Sequence, residues 1–384
     1  MSLIFFFIII SVLILIHELG HFIFAKINGV KIEEFGFGLP PRLFGIKKGE
    51  TIYSINLFPF GGFVKLFGEE YHEIDNKKTP LKDKNKAFIN KKPWQKTLII
   101  TAGVIMNFFL AVSIFYYLLI NNQFKSNIIP LFFNHQFKFG SKEKKIVVIN
   151  VNKNSPAEKQ NIVFEDILLR YKDNNNNQWR NIYDASQFIN IVNKNFDKEI
   201  ILELQNNKNG EVKIVKVKPV YNKNLKRYII GISLTNSVII NYEKPLEKIL
   251  SGFLHSYNLL DYNLKVIGNL FSQAVREKKP ESITQTLSGP IGIFAIISDT
   301  VKSSGKKLVD NLLNLTGLLS LSLALMNILP FPALDGGRLI FVIYEWVTGK
   351  KNHQNLEKHL NLIGFLILIS LAIIISINDI LNFF

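Results

Sequence analysis

The sequence predicts a polytopic α-helical membrane protein of about four transmembrane helices, with a cytoplasmic membrane-associated β-hairpin and an inserted extracytoplasmic α+β domain. Three observations predict it. Apolar residues, 48% of the 384 and including 32 Phe, gather toward the two ends of the chain. From about 121 to 242 the character changes to short β-branched runs separated by Asn, Lys and Gly. Between the first two apolar runs, residues 26–96 carry thirteen Lys and one Arg against eight acids, the excess that marks a cytoplasmic loop. A chain of this length divides into two or three units. The expected division is a first membrane half at 1–120, the insert at 121–242, an amphipathic juxtamembrane region at 243–300 and a second membrane half at 301–384.

A formal charge of +16 raises the possibility of nucleic acid. No zinc ribbon, RNP-like strand or base-reading basic helix accompanies it, so no nucleic acid partner is expected. Cytoplasmic loops and anionic lipid account for the charge. The absence of cysteine excludes disulfides and thiolate metal sites, so any transition metal must be held by His, Asp or Glu.

Residues 2–25 hold only His17, Glu18 and His21 as ionisable side chains, and their length suffices to cross a hydrocarbon core of roughly 30 Å. A secretory signal peptide is the competing reading. It lacks support, because no basic segment precedes the apolar run and no small-x-small cleavage pattern follows it. On a helix the two histidines share one face and Glu18 is turned about 100° from His17. Ionisable groups at this depth are costly and mark a functional site, and H-E-x-x-H is a zinc metalloprotease signature.

The loop that follows places the amino terminus outside and the His-Glu motif toward the cytoplasmic half. Within it Thr51–Phe58 alternates toward β, and Pro59-Phe60-Gly61-Gly62 supplies a turn before Phe63-Val64-Lys65-Leu66. This predicts a hairpin, either an ordinary loop element or an edge strand offered to an extended substrate. Leu98–Ile120 is the second span. Its Gly103-x-x-x-Asn107 pair allows close helix approach and an interhelical hydrogen bond, read here as packing.

In the insert, strands are expected at Ile146–Val151, from Asp166, at Glu199–Leu204, Val212–Val217 and Ile229–Leu234. Ser155-Pro156-Ala157 opens a helix with Ser as cap and Pro at its first position, and a second helix lies near Ala185–Val192. The order of elements and the stretch Ser155 to Leu168 resemble a bacterial-type PDZ domain, with Asn161 and Glu165 where that family usually has Gly.

Pro245–Val275 has apolar residues at helical spacing interrupted by charge, an amphipathic helix at the outer membrane surface or against the active-site domain. After Ser288-Gly289-Pro290-Ile291-Gly292, the third apolar region runs from Leu312 to Leu329, and Ile363–Ile377 supplies most of the fourth. Between them lies Asn327-Ile-Leu-Pro330-Phe-Pro332-Ala-Leu-Asp335-Gly336-Gly337. Its prolines and glycines break a helix at membrane depth, which is tolerated where backbone is buried in protein or lines a cavity. Asp335 is the only acid between Asp310 and Glu345. It reads either as a cap of the resuming helix or, with His17 and His21, as the third metal ligand.

Taken together, His17-Glu-Leu-Gly-His21, Gly61-Gly-Phe-Val-Lys65, the PDZ-like insert, Ser288-Gly-Pro-Ile291 and Asn327–Gly337 resemble the site-2 protease family. These are zinc intramembrane metalloproteases, and the chain looks particularly like the bacterial regulator-of-sigma-E protease branch. The resemblance covers nearly the whole chain, with one PDZ-like unit where that branch commonly has two. It implies four spans in the bacterial cytoplasmic membrane, an extracytoplasmic insert and an active site toward the cytoplasm. It also implies Zn²⁺ held by His17, His21 and Asp335 with the fourth position open, and Glu18 as the general base. Asn327 would contact the substrate backbone or the developing oxyanion. With Pro330, Pro332, Gly61, Gly62 and Phe63 it completes the expected substrate-binding set.

A transmembrane substrate hides its peptide groups in its own hydrogen bonds, so it must unwind. Pairing with the Gly61–Phe63 hairpin would satisfy the freed groups. The expected partners are the lipid bilayer, single-span proteins such as anti-sigma factors or remnant signal peptides, and an upstream protease that trims them. The PDZ-like insert would filter by size or dock substrates. Two other classes compete: a non-catalytic membrane scaffold or chaperone of the same fold, which has little need of Glu18, and a metal transporter, for which there is no inverted repeat or second ligand set. His72, His135, His255, His353 and His359 have no zinc-like pairing and read as surface or packing residues.

Overall fold

Apolar length decides the helices of the first unit. The computed structural model describes residues 1–69, 84–173, 176–195, 198–207, 210–277, 289–350 and 354–383. They divide into one unit of Met1–Leu118 with Gly252–Phe384 and another of Leu119–Ser251. His72, His353 and Ser288 lie outside the described residues. Among the described residues, four helices are long and apolar enough to cross a membrane: Ser2–Ile27, Pro93–Asn121, Gly305–Ile328 and Asn355–Leu381. Their side chains are largely uncovered, as with Ile363, Phe365 and Leu366, each more than half-exposed. That is the surface a bilayer covers.

Helix α1 (Ser2–Ile27) ends where Asn28 folds its amide back onto the Phe24 carbonyl at 2.8 Å. The chain then enters strands β1 (Ile32–Lys48) and β2 (Thr51–Leu66), antiparallel and joined at Gly49-Glu50. This corrects the expected hairpin. Residues 59–62 are not its turn, and 51–58 does not pair with 63–66. Both segments flank the first half of β1: Gly36 faces Ser54 on one side and Phe63 on the other, and Phe37 faces Ile55 and Gly62. The strand between them reads poorly from sequence, because Phe-Gly-Phe-Gly-Leu-Pro-Pro has the glycines and prolines that depress strand propensity. As a result Gly62–Leu66 is an edge, paired with no other strand among the described residues.

Helix α2 (Pro93–Asn121) begins on Pro93. In the second unit, the described strands are β3 (Ile129–Pro130), β4 (Ser141–Val151), β5 (Asp166–Asp173), β6 (Asn176–Asn181), β7 (Ile200–Asn206), β8 (Val212–Val217) and β11 (Ile232–Asn241), with β9 (Val220–Asn222) and β10 (Arg227–Ile229) forming a separate hairpin. The main sheet runs β3-β11-β4-β5-β7-β8, with β6 beside β5. Ile200, Leu202 and Leu204 of β7 alternate inward at 0% exposure, the period of a half-buried strand. Helix α4 (Ala185–Lys194) packs Phe188 and Val192 on that core. The short helix α3 (Pro156–Lys159) is capped by Ser155, which accepts from the Glu158 amide.

Two details differ from expectation. The strand expected at Ile229–Leu234 is broken at Gly231, whose φ of 84° ends β10 and starts β11. Asn161 (φ 54°) and Glu165 (φ 69°) both adopt the left-handed conformation, which suits Asn and strains Glu.

After α5 (Pro245–Ile249) the first unit resumes with α6 (Ser251–Glu277), which packs on α2: Phe253 meets Phe108, and His255 meets Phe115 edge-on at 5.1 Å. Helix α7 (Pro290–Ser303) has its first turn fixed by Asp379, which accepts from the Gly289 and Gly292 amides at 2.9 and 2.8 Å. Helix α8 (Leu308–Ile328) stops before Pro330 and Pro332, and α9 (Asp335–Thr348) starts afresh at Asp335. A Cβ on Gly336 would lie 2.2 Å from the Leu329 carbonyl oxygen, and one on Gly337 2.3 Å from that of Phe331. The paired glycines therefore let the new helix start directly against the end of the old one. The last helix, α10 (Gln354–Phe383), receives the intervening loop, since Asn361 accepts from the Ala333 amide and Gly364 lies against Pro332.

Candidate metal centre

Two imidazoles on one face of α1 meet a helix with a side chain missing. A Cβ on Gly103 of α2 would lie 2.6 Å from His17 Cε1 and 2.6 Å from His21 Nε2. The space a side chain would fill is occupied by the two rings. The same helix orients them from behind, with the Ile99 carbonyl oxygen 2.8 Å from His21 Nδ1 and the Asn107 amide 3.4 Å from His17 Nδ1. Asn107 is fully buried, its carbonyl takes a hydrogen bond from Ser320 at 2.7 Å, and its Oδ1 has no partner. Turning the amide by 180° sets Oδ1 opposite His17 Nδ1, which then carries the proton and leaves Nε2 as a free lone pair. The packing role expected for Gly103 and Asn107 therefore includes positioning both histidines. Their four-residue spacing was legible, but what they face was not.

Both Nε2 atoms point at one place, 3.1 Å apart. Helix α9 brings Asp335 there, its Oδ2 lying 3.1 Å from His17 Nε2 and 3.4 Å from His21 Nε2. That oxygen is buried and has no partner in hydrogen-bond geometry. The three donor atoms lie within 4.8 Å of one another. Ligands about 2.0–2.2 Å from a tetrahedral ion are roughly 3.3–3.6 Å apart, so the spacing fits a zinc-sized cation. Two imidazole nitrogens and a carboxylate form a donor set for zinc, and each histidine has the second-shell hydrogen bond that such ligands carry.

Glu18 sits on the adjacent face. Gly62 of the strand edge lies against its Cγ and against Leu15. Gly61 lies against Ile14. The strand edge therefore runs directly beside the general-base candidate. A cavity of about 210 Å³ opens here, lined by His17, Glu18, His21 and Asp335 together with Phe63 and Val64 of the edge. Its remaining wall is Leu66, Phe88, Ile99 and Ile100, with Arg338 and Glu69 paired at 2.5 Å. A second ion pair holds the two helices in place: Lys96 of α2, only 5% exposed in its side chain, reaches Glu345 of α9 at 2.8 Å.

Asn327, Pro330 and Pro332 do not line the cavity. Asn327 is half-buried in the last turn of α8 and Pro330 is exposed, while Pro332 packs under Gly364 of α10. The two prolines act on the backbone, setting where α9 begins. Of the other histidines, His135 and His255 are buried among aromatic rings, and His359 contacts the Asn355 carbonyl in its own helix.

The sequence profile of peptidase family M50 matches residues 5–371. A provisionally named zinc metalloprotease of Clostridium acetobutylicum is 33% identical over 341 residues, covering 89% of this chain and 86% of that protein. One of Rickettsia conorii is 30% identical over 394 residues, covering 100% of this chain and 99% of its own length. The zinc metalloprotease RasP of Oceanobacillus iheyensis is 26% identical over 413 residues, covering 88% and 89%.

Proposed function

The chain belongs to peptidase family M50, the site-2 protease family of zinc metalloproteases, and from that premise we propose that it cuts single-span membrane proteins within their transmembrane segments, after another protease has shortened their outer part. It is an integral membrane protein and a zinc metalloendopeptidase. What carries the reading is the convergence of His17, His21 and Asp335 donor atoms within 4.8 Å, beside a strand edge with no partner strand among the described residues.

In this reading His17, His21 and Asp335 would hold zinc, which when bound would supply Lewis-acid chemistry to the scissile carbonyl and the attacking water. Glu18 takes a proton from that water and returns it to the leaving amine. Asn107 and the Ile99 carbonyl keep both imidazoles in the tautomer and orientation that present Nε2. The substrate, unwound near the scissile bond, pairs with Gly62–Leu66, so that its freed amides and carbonyls are satisfied. Gly62 of the edge packs against the Glu18 side chain, so the base stands along the line of the bound peptide.

The positive loop argues that α1 runs inward, setting the site toward the cytoplasmic side of a bacterial cytoplasmic membrane, with the insert outside. The insert is read as PDZ-like. Its β11 edge pairs with Ile129–Pro130 at Ser237 and Val238, while Ile232–Thr235 pairs with no strand on that side among the described residues. It would dock or size-select substrates such as anti-sigma factors or remnant signal peptides.

The test compares membrane peptides in cells carrying wild type or Glu18→Gln, with zinc measured on both purified proteins. Cleavage lost with zinc retained is expected. Unchanged cleavage in Glu18→Gln would leave a scaffold as the better reading.

A further inference from the structure

The cavity continues past the metal ligands and the base. Beyond them its wall is Leu66, Phe88, Ile99 and Ile100, which are 6%, 9%, 1% and 5% exposed and belong to one apolar cluster. Each comes from a fixed position. Leu66 ends the strand edge. Phe88 is tied to that end by its amide, which donates to the Phe67 carbonyl at 2.9 Å. Ile99 and Ile100 project from the first turns of α2, and the Ile99 carbonyl is the group that contacts His21. The whole cavity, metal ligands and base included, measures about 210 Å³, against the roughly 150 Å³ of an apolar cavity that admits a benzene ring. Apart from the ligands and Glu18, the charged groups on its lining are Arg338 and Glu69, which pair with each other.

We propose that this space is a side-chain pocket that selects a large apolar residue, Leu or Phe, next to the scissile bond. The proposal rests on the hydrolytic reading above. Alternate side chains of a strand added to Gly62–Leu66 point to opposite faces, so when a peptide group reaches the zinc ligands one neighbouring side chain faces the apolar wall. Filling that wall excludes water from the base and the carbonyl. The edge and the ligands position the peptide backbone, and the pocket sets its register.

The test uses full-length, zinc-loaded Glu18→Gln protein in lipid nanodiscs and fluorescent alanine-based peptides whose helix is broken by Gly and Pro. A single Leu, Phe, Asp or Lys is walked along the peptide, and binding is read by anisotropy. One register at which Leu or Phe binds about tenfold or more tightly than the Ala parent is expected, the least a methylene is worth in such a pocket. Ile100→Phe should abolish most of that gain, and Phe88→Ala should shift the preference from Leu toward Phe. A flat profile, a preferred Asp or Lys, or a gain that survives both variants would overturn the pocket. Failure of the hydrolytic reading shows separately, as wild-type protein that does not cut the best binder.

Discussion

A methyl group on Gly103 would stand 2.6 Å from Cε1 of His17, closer than packed atoms tolerate, so the proposed metal centre depends on an absent side chain. Gly103→Ala should raise intrinsic helix propensity by about 1 kcal/mol while displacing both imidazoles. The expected result is loss of most bound zinc and of cleavage. Elemental analysis of the purified variant checks it, and full zinc content would show that the rings have room to move.

Stripping the metal should lower thermal stability as well as activity, because a ligand bound only by the folded state stabilises it by mass action. At zinc concentrations about 100 times the dissociation constant this is worth roughly 2.7 kcal/mol. Asp335→Ala should unfold at the same temperature with and without added zinc. A zinc-dependent shift that persists in the variant would mean that the ion sits elsewhere.

Lys96 and Glu345 fix α9 against α2, and removing one partner of a buried pair leaves the other charge uncompensated. Lys96→Met should cost about 3–5 kcal/mol. The double variant with Glu345→Leu should recover a large part of this. A denaturation cycle on the four proteins measures the coupling; additive losses would contradict it.

Glu165 holds a left-handed backbone conformation with φ 69°, which disfavours any side chain with a Cβ. Glu165→Gly should stabilise the insert by roughly 0.5–1 kcal/mol, and Asn161→Gly by less, because Asn tolerates that region. Thermal unfolding of the full chain followed at Trp179 reports the difference.

Burial pushes the pKa of His255 down from 6.5 to about 4. The folded state therefore keeps this ring neutral where the unfolded chain protonates it, so stability falls as pH drops from about 6.5 toward 4. His255→Leu should flatten that part of the stability profile. Unfolding temperatures measured across the window test the sign; a profile unchanged by the variant would place the acid sensitivity elsewhere.

Features that depend on near neighbours were readable directly. The 3.6-residue helical turn puts His17 and His21 on one face whatever surrounds them, and hydrocarbon thickness makes long apolar runs into spans. Asp335 stood out because an acid beside two prolines in an apolar stretch is costly without a partner. The pairing of β1 was not readable. Its sequence is glycine- and proline-rich, and its two partner segments are set by contacts across the fold. The placement of Gly103 behind two imidazoles, the contact of Asn107 with His17, and the joining of Leu66, Phe88 and Ile100 into one wall all arise from packing between segments far apart in the chain. The residues alone specify local geometry and the cost of burying a charge. Which faces meet follows from the packing that best relieves those costs together, and only the folded chain reveals it.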